Sequence, residues 1–342
     1  METANRKFLI DFGMFHMKLI RGSLLLTKKL PASVITIGNF DGVHSGHQKI
    51  LQTLAEEGNC LGIPKVLITF EPPPIQFFKG EINFPRLMYW REKWAALEQA
   101  SLDYLVCLYF NHALASLSAT EFVYKILLNQ LGMRRIIIGD DFRFGLHRQG
   151  DVHLLQKIAE KESFQVVQEP PYQLNGLRIS STLIRNLLLE GNIPKGNSLL
   201  GRPYYICGKV VKGDQRGATL LGFPTANIDL RNKPVPLSGI FVVTVEGLGK
   251  KLLPAVASLG VRPMFDGSNR WLEIHLLDFN EKIYGKRIKI NFLQKLRDEE
   301  CFASVGQLIS QIEKDVCETR AFFNTSQCEK IAPLIMKKNE NT

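Results

Sequence analysis

The chain has 342 residues, of which 45% are hydrophobic and 22% are charged, and its formal net charge is +10. This length favours two domains, and the composition is ordinary for a soluble globular protein. The positive charge favours an anionic partner such as nucleic acid, anionic lipid or a nucleotide polyphosphate, although dispersed lysines can also serve solubility alone. No apolar run reaches the ~18 residues of a membrane span. The six cysteines form no CxxC pair, which argues against a zinc ribbon or a thioredoxin-like site.

The first half of the chain alternates strand-like and helix-like segments. Residues 1–16 are predicted to be a non-native or disordered extension, because the run MKLIRGSLLL from Met17 already reads as an opening strand. Strand-like runs at 34–38, 65–70, 104–110, 134–139 and 164–169, most of them largely apolar, are then separated by amphipathic helical patterns. This alternation predicts a doubly wound α/β domain with a parallel sheet, which binds ligands at the carboxyl ends of its strands.

The rhythm changes after the Gly- and Pro-rich segment GNIPKGNSLLGRP at 191–203, within which residues 193–198 are predicted to be a linker. Short strands separated by turn residues follow, and this pattern predicts a small antiparallel β-barrel. An amphipathic helix with Ser304 as its N-cap closes this half. The predicted domains are therefore 17–192 and 199–325.

The stretch ITIGNFDGVHSGHQKIL at 35–51 places two histidines three residues apart where a strand gives way to a helix. A metal, a phosphate or a plain surface turn would each explain them. A catalytic zinc needs about three protein ligands, and Asp41 is the only obvious third ligand nearby. Phosphate fits better, because glycines and free amides at a helix N-terminus admit an anion.

Three further sequence motifs accompany the two histidines and narrow the choice of protein family. GNFDGVHSGH resembles the HxGH signature of the adenylyl- and cytidylyltransferase superfamily. GDDFRFG at 139–145, RISSTLIR at 178–185 and LGFPTANIDL at 221–230 follow in the order found in the prokaryotic bifunctional riboflavin kinase/FMN adenylyltransferases, also called bifunctional FAD synthetases. The resemblance implies an HxGH-superfamily nucleotidyltransferase domain followed by a riboflavin kinase barrel with a C-terminal helix. It also implies ATP, riboflavin and FMN as substrates, Mg2+ as cofactor, and a cytoplasmic enzyme with no nucleic-acid or membrane partner; a homo-oligomer is left open.

In the N-terminal half, the resemblance assigns adenylyl transfer to a few polar side chains. The implied catalytic residues are His44, His47, Arg178 and Ser181. The implied ATP and phosphate contacts are Gly38, Phe40, Asp41, Gly42, Asp141, Ser180, Thr182 and Arg185. An ordinary helix cap would explain one hydroxyl of the Ser-Ser-Thr run, but not three flanked by arginines.

In the C-terminal half, the resemblance assigns Glu273 as the base that takes the proton of the riboflavin 5′-hydroxyl. Strand alternation places Glu273 and His275 on the face opposite Leu272, Ile274 and Leu276. The implied phosphate contacts are Gly213, Gly217, Gly222 and Pro224, the magnesium ligands Thr225 and Asn227, and the flavin contacts Arg297 and Phe302.

Three positions depart from the family pattern. Pro73 stands where the family usually has histidine, Ser258 replaces the usual asparagine, and Met264 replaces the usual threonine. The first change leaves open an alternative function, a riboflavin kinase whose adenylyltransferase half is weakened. A basic, non-catalytic nucleic-acid-binding protein is the distant alternative, although the chain shows no motif of that class.

Overall fold

The computed structural model describes residues 17–22, 24–26, 28–80, 84–212, 222–230, 233–264 and 267–325. The predicted extension at 1–16 and the predicted phosphate contacts Gly213 and Gly217 lie outside these residues.

The first half of the chain contains a six-stranded parallel sheet, as the apolar runs predict. Its strands are β1 (Lys18–Gly22), β2 (Ser33–Ile37), β3 (Lys65–Glu71), β4 (Tyr104–Tyr109), β5 (Met133–Gly139) and β6 (Gln165–Glu169). Their order is β1-β4-β3-β2-β5-β6. From β2 the chain proceeds to one side through β3 and β4 and then crosses to the other side through β5 and β6. The order therefore reverses between β2 and β5, and such a reversal marks the ligand crevice of a doubly wound sheet.

Helices connect these strands, and the last two helices of the series follow the sheet. They are α1 (Ser45–Leu61), α2 (Pro74–Lys79), α3 (Trp90–Leu97), α4 (His112–Ala115), α5 (Ala119–Phe122), α6 (Val152–Glu162), α7 (Ser181–Leu189) and α8 (Ile193–Leu200). Helix α5 continues as a π-helix over Val123–Leu128, and a short 3-10 helix spans Leu146–Arg148. A small hairpin pairs β7 (Gln173–Leu174) with β8 (Leu177–Arg178).

The second half contains the predicted barrel. Its strands are β9 (Tyr204–Val211), β10 (Ala226–Asp229), β11 (Gly239–Glu246), β12 (Leu253–Met264), β13 (Gly267–Leu276) and β14 (Arg287–Arg297). They close antiparallel in the order β10-β13-β12-β11-β14-β9. Leu272 and Ile274 are fully buried on one face of β13, as alternation predicts, and the barrel is filled by such side chains. Helix α9 (Val305–Asn324) follows, and Ser304 caps it by accepting from the Gln307 amide at 3.3 Å, which confirms the predicted cap.

The described chain forms two compact units. One contains the described residues of Met1–Asn39 with Ile50–Phe77 and Ala95–Pro170, and the other contains Phe40–Lys49, Phe78–Trp94 and the described residues from Pro171 onward. In the second unit, Ile184 and Leu188 of α7 and Leu200 of α8 belong to the same apolar core cluster as the barrel strands. No helix of the described residues is long and apolar enough to cross a membrane.

Residues 193–198, predicted to be a linker, instead lie within α8. The Gly and Pro residues that suggested a linker are helix-boundary residues. Pro194 stands in the first turn, where its missing amide costs no helical hydrogen bond, and Gly201 ends the helix with φ of 71°. Asn192 caps the start by accepting from the Lys195 amide at 3.4 Å.

Helix α9 is tied to the barrel by a buried ion pair. Arg297, at the end of β14, donates to both carboxylate oxygens of Asp315 at 2.9 and 2.7 Å, and Asp315 is only 3% exposed. A second bidentate pair joins Arg320 of α9 to Asp278 at 2.8 and 2.7 Å, but both of those side chains are largely exposed. The two pairs share their geometry and differ mainly in burial.

We expect Asp315→Ala to lower the free energy of unfolding by about 3–5 kcal/mol, because it leaves the Arg297 guanidinium unpaired beside buried surface. Asp278→Ala is the matched control and should cost about 1 kcal/mol or less, since water screens an exposed pair. Urea denaturation of both variants measures the difference. Equal losses in the two variants would contradict the assignment of α9 docking to the Arg297–Asp315 pair.

Candidate functional site

The HxGH turn is tightly folded between the end of β2 and the start of α1. Phe40, Gly42 and Val43 have φ of 46°, 86° and 41°, a left-handed conformation that is costly for a β-branched residue such as Val43. Phe40, Val43 and His44 are 2%, 3% and 5% exposed. The turn is therefore a buried, strained segment, and the alternative of two histidines in a plain surface turn does not describe it.

The two histidines lie against each other. Their rings stack with centroids 3.7 Å apart, and the Phe40 ring lies 4.6 Å from that of His47. Burial, and then the Arg202 charge, lower the pKa of His44 to about 4 from an ordinary 6.5. Burial, with His44, Lys93 and Arg202 as lesser causes, also holds the pKa of His47 well below 6.5. Both imidazoles are therefore neutral at pH 7, and each can still donate one N–H to an anion.

One polar atom of this pair lacks a partner. The buried Nδ1 of His47 has no hydrogen-bond partner among the described residues, although buried ring nitrogens normally have one. Within the described part of the chain, no cluster of three or more His, Cys, Asp and Glu side chains is arranged to hold a metal ion. An anionic ligand that brings acceptor oxygens suits two neutral imidazoles beside cationic side chains.

Asp41, Ser181 and Arg185 meet in one hydrogen-bonded group. The Asp41 carboxylate accepts from the amides of Leu87 and Met88 at 3.2 and 3.0 Å and from Arg185 at 2.8 Å. Ser181 donates to the Asp41 carbonyl at 2.8 Å. The structure thus gathers three predicted site residues, but in this arrangement Ser181 and Arg185 brace the HxGH turn.

The hydroxyls of Ser180 and Thr182 at the start of α7 lie in different environments. Ser180 is the N-cap of α7, since its hydroxyl accepts from the Leu183 amide at 3.2 Å. A helix cap therefore explains one hydroxyl of the Ser-Ser-Thr run, as the sequence analysis expected. Thr182 is exposed, and Arg178 ends the exposed strand β8. Their assignment as phosphate contacts stays a prediction.

At the carboxyl end of the sheet, the first compact unit presents acidic and aromatic residues. Gly38 follows β2, and Asp141 is exposed in the turn after β5. Phe144 of the GDDFRFG segment is 9% exposed and belongs to the apolar core of this unit. Phe77 makes edge contacts with Phe110 at 5.3 Å and with His112 at 4.9 Å. Sequence patterns did not indicate this aromatic group, because its members come from separate segments: Phe77 lies on α2, Phe110 follows β4 and His112 begins α4.

The predicted kinase residues form a row across three barrel strands. Glu273 on β13 lies opposite Asn227 on β10 and opposite Ser258 on β12. Directly paired residues of antiparallel strands share a face, so these side chains project together from the barrel wall. Thr225 is half-buried two residues before Asn227, and Asn227 is 7% exposed. Oxygen donors here suit Mg2+, which prefers oxygen and keeps several waters.

The FPTAN segment is held against β13 by His275. The His275 ring lies within 3.0 Å of the Pro224 carbonyl and makes an edge contact with Phe223 at 5.3 Å. Gly222 has φ of 74°, a conformation that favours glycine. The structure therefore brings Pro224, Asn227 and Glu273 to one side of the barrel, where His275 holds the loop.

Two charged residues near the Asn227–Glu273 row differ from the sequence predictions: Glu299 was not predicted as a site residue, and Arg297 has a different partner. Glu299 lies over Gly260, so close that a Cβ at position 260 would overlap its carboxylate. Burial, and then the charge of Glu273, raise the pKa of Glu299. Arg297, predicted as a flavin contact, is instead engaged with Asp315 and lies 5.7 Å from the Phe302 ring. A flavin contact of Arg297 or Phe302 stays a prediction.

Sequence reasoning missed two cations beside the HxGH histidines. Arg202 follows α8, and the buried Lys93 lies on α3. Both lie far from the motif in sequence, and neither belongs to a segment that carries the resemblance. The segment GNIPKGNSLLGRP contains Arg202 but was interpreted only as the boundary between the two domains.

Comparison with known proteins identifies a family for each half of the chain. A family model described as FAD synthetase matches residues 26–183, and one described as riboflavin kinase matches residues 200–323. A bifunctional riboflavin kinase/FMN adenylyltransferase from Escherichia coli K12 is 42% identical over 312 residues, covering 91% of this chain and 99% of that one. The protein of the same description from Pseudomonas fluorescens is 44% identical over 306 residues, covering 89% and 97%.

A solved structure has the same fold. The crystal structure of a protein described as a macrolide-efflux protein from Streptococcus pneumoniae superposes with a TM-score of 0.78 at 31% identity, covering 89% of this chain and 99% of that one. Since the curated relatives are matched over nearly their whole length and both family models match in the expected order, this chain belongs to the bifunctional riboflavin kinase/FMN adenylyltransferase family.

Proposed function

We infer that this chain phosphorylates riboflavin with ATP to give FMN, and then transfers AMP from ATP to FMN to give FAD and pyrophosphate. The observation that carries the inference is that one chain assembles two distinct polar sites, the stacked histidines of the HxGH turn and the Asn227–Glu273 row of the barrel. We propose the domain limits 17–192 for adenylyl transfer and 199–325 for the kinase.

In adenylyl transfer, a phosphate oxygen of FMN attacks the α-phosphorus of ATP, and the bond to the β-phosphate oxygen breaks as pyrophosphate leaves. The nucleophile is already an anion, so no strong base is needed, and the site's task is to position two polyanions and stabilise the leaving charge. We propose that His44 and His47 donate to the ATP phosphates, with Arg178, Ser180 and Thr182 as further contacts. Gly38 and Asp141 remain proposed nucleotide contacts.

In the kinase reaction, the riboflavin 5′-hydroxyl attacks the γ-phosphorus as its proton passes to Glu273, and ADP leaves. Mg2+, when bound, would neutralise charge between the transferred and leaving phosphates. We propose that Thr225 and Asn227 hold it, because they supply oxygen ligands beside the glutamate. Gly222 and Pro224 would border the phosphates, and Phe302 the flavin.

The remaining proposals concern the setting of the enzyme. We propose that it acts in the cytoplasm and that its positive charge serves its phosphorylated substrates, with neither nucleic acid nor a membrane as a partner. A homo-oligomer is compatible with these proposals.

A chromatographic product assay tests the inferred function. Purified protein with riboflavin, ATP and Mg2+ should give both FMN and FAD, and omitting Mg2+ in the presence of a chelator should stop both. FMN without FAD, repeated when FMN itself is supplied, would favour the monofunctional alternative that Pro73 raised. Neither product from a folded sample would refute the inference.

A further inference from the structure

Arg202 comes from the kinase half of the chain and contacts the HxGH turn. It lies outside the residues matched as FAD synthetase and inside those matched as riboflavin kinase. Its Nη1 donates to the carbonyls of Val43 at 3.1 Å and Leu200 at 3.2 Å, and its Nη2 donates to the carbonyl of Gly42. One guanidinium therefore ties two consecutive peptide groups of the turn to the start of the barrel.

The turn needs such a restraint because its backbone is strained. Phe40 and Val43 both have positive φ, and residues in this conformation persist only where their surroundings enforce it. Gln48 provides a second restraint, since its Nε2 donates to the carbonyls of Val43 and Leu200, both at 3.1 Å. The carbonyl of Val43, directly before His44, thus accepts from two side chains.

The charge of Arg202 also acts on the histidines. In the described part of the chain, Arg202 forms no ion pair with a carboxylate, and its buried Nε has no hydrogen-bond partner. Its positive charge is therefore not neutralised locally and extends to His44 and His47, whose pKa values it helps to lower. Neutral imidazoles beside a fixed cation match an incoming triphosphate, because the cation attracts the anion while each ring donates one directed hydrogen bond.

We propose that Arg202 is a positioning residue for adenylyl transfer, which fixes the carbonyls of Gly42 and Val43 and thereby aims His44 and His47 at the ATP phosphates. The proposal rests on the inferred adenylyltransferase activity and deepens it. It means that the adenylyl-transfer site is completed by a side chain of the kinase half. The kinase reaction itself does not require this contact.

The test compares Arg202→Met, which removes the charge and the donors, with Arg202→Lys, which keeps the charge but lacks the planar fork. FMN-fed FAD formation by Arg202→Met should show kcat lowered by about 10²-fold, because misplaced catalytic groups lose orientation, while KM for ATP changes less. Riboflavin phosphorylation by the same samples should stay within about twofold of the wild type. Arg320→Met removes an exposed arginine and should change neither activity.

The pH profile separates positioning from a merely structural role. The groups facing the imidazoles are Arg202 for His44, and His44, Lys93 and Arg202 for His47. Burial is the larger cause of the low His44 pKa and Arg202 the second, so loss of the Arg202 charge should move the acid bend of kcat/KM for FAD formation to higher pH, while Arg202→Lys keeps the bend where it is despite its slower rate. A role confined to stability would leave the bend where it is.

FAD formation by Arg202→Met within about threefold of the wild type would overturn the proposal, provided that His47→Ala has lost it. If Arg202→Met does not fold, Gln48→Leu decides, because Gln48 is exposed and holds the same carbonyl; an unchanged rate of FAD formation would overturn the proposal, and a rate about tenfold lower would support it. Wild-type enzyme that makes no FAD would instead refute the proposed function.

Discussion

Replacing His47 with alanine is expected to lower FAD formation from FMN and ATP by about 10²–10³-fold, as is typical when a preorganised donor to a developing charge is lost. The His47 ring stacks on His44, and its buried Nδ1 has no partner among the described residues, so the imidazole is held in place and has unused hydrogen-bonding capacity. The measurement is steady-state FAD production with FMN supplied, so that the kinase reaction does not limit the supply of substrate.

The same His47→Ala sample should still phosphorylate riboflavin at a rate within about twofold of the wild type, because the Asn227–Glu273 row belongs to the barrel wall. His153→Ala, on the exposed side of α6, is the matched histidine control and should leave both activities intact. Loss of both activities in a folded His47→Ala protein would contradict the assignment of the two reactions to separate sites. Unimpaired FAD formation would return the HxGH histidines to a structural role.

Glu273→Gln should have the complementary effect. We expect FMN formation from riboflavin to fall by about 10²–10⁴-fold, because the amide keeps the shape of the carboxylate and cannot accept the hydroxyl proton. Glu273 lies opposite Asn227 and Ser258 on neighbouring strands, which places it beside the proposed magnesium ligands. Timed chromatography of the FMN product measures the loss.

FAD formation by Glu273→Gln, with FMN supplied, should match the wild type. Glu281→Gln is a suitable control, because the Glu281 side chain is 70% exposed, and it should leave both reactions unchanged. A Glu273→Gln variant that still makes FMN at an undiminished rate would show that another group accepts the proton. Glu299 would then be examined first, because its carboxylate lies against Gly260 of β12 and burial raises its pKa, which makes the ionised carboxylate a stronger base.

Each activity serves as a folding control for the other in all these variants. A change confined to one reaction cannot come from global unfolding, since the other reaction uses the same chain. This control is especially useful for Arg202, which lies at the start of the barrel but contacts the HxGH turn.

Local pattern was enough to predict much of the fold. The buried strands β2 and β5 are apolar runs, which is what a parallel strand covered on both faces requires, and the structure has them where they were predicted. The cap of α9 was predictable because Ser304 acts through a bond to an amide three residues away. The alternation on β13 likewise requires only neighbouring residues, and it placed Glu273 and His275 on one face.

Predictions were weaker where one residue type serves two structures. Gly and Pro mark both linkers and helix ends, so the segment containing α8 was interpreted as a linker although Pro194 and Gly201 bound a helix. Composition cannot separate these cases. The contacts of the buried Asn197 do distinguish a helix from a linker, since its side chain donates to the Phe292 carbonyl at 2.8 Å and accepts from the Tyr204 amide at 2.7 Å. Those partners are known only once the chain has folded.

The sequence by itself determined the two-part architecture, the family and the residue types available for both reactions, because short-range periodicity and ordered motifs carry that information. Only the tertiary structure decided which charges are engaged with which groups. Arg185 is paired with Asp41 and Arg297 with Asp315, whereas Arg202 binds backbone carbonyls of the HxGH turn. Guanidinium groups look alike in a sequence, and their tasks differ because long-range folding sets their burial and their partners.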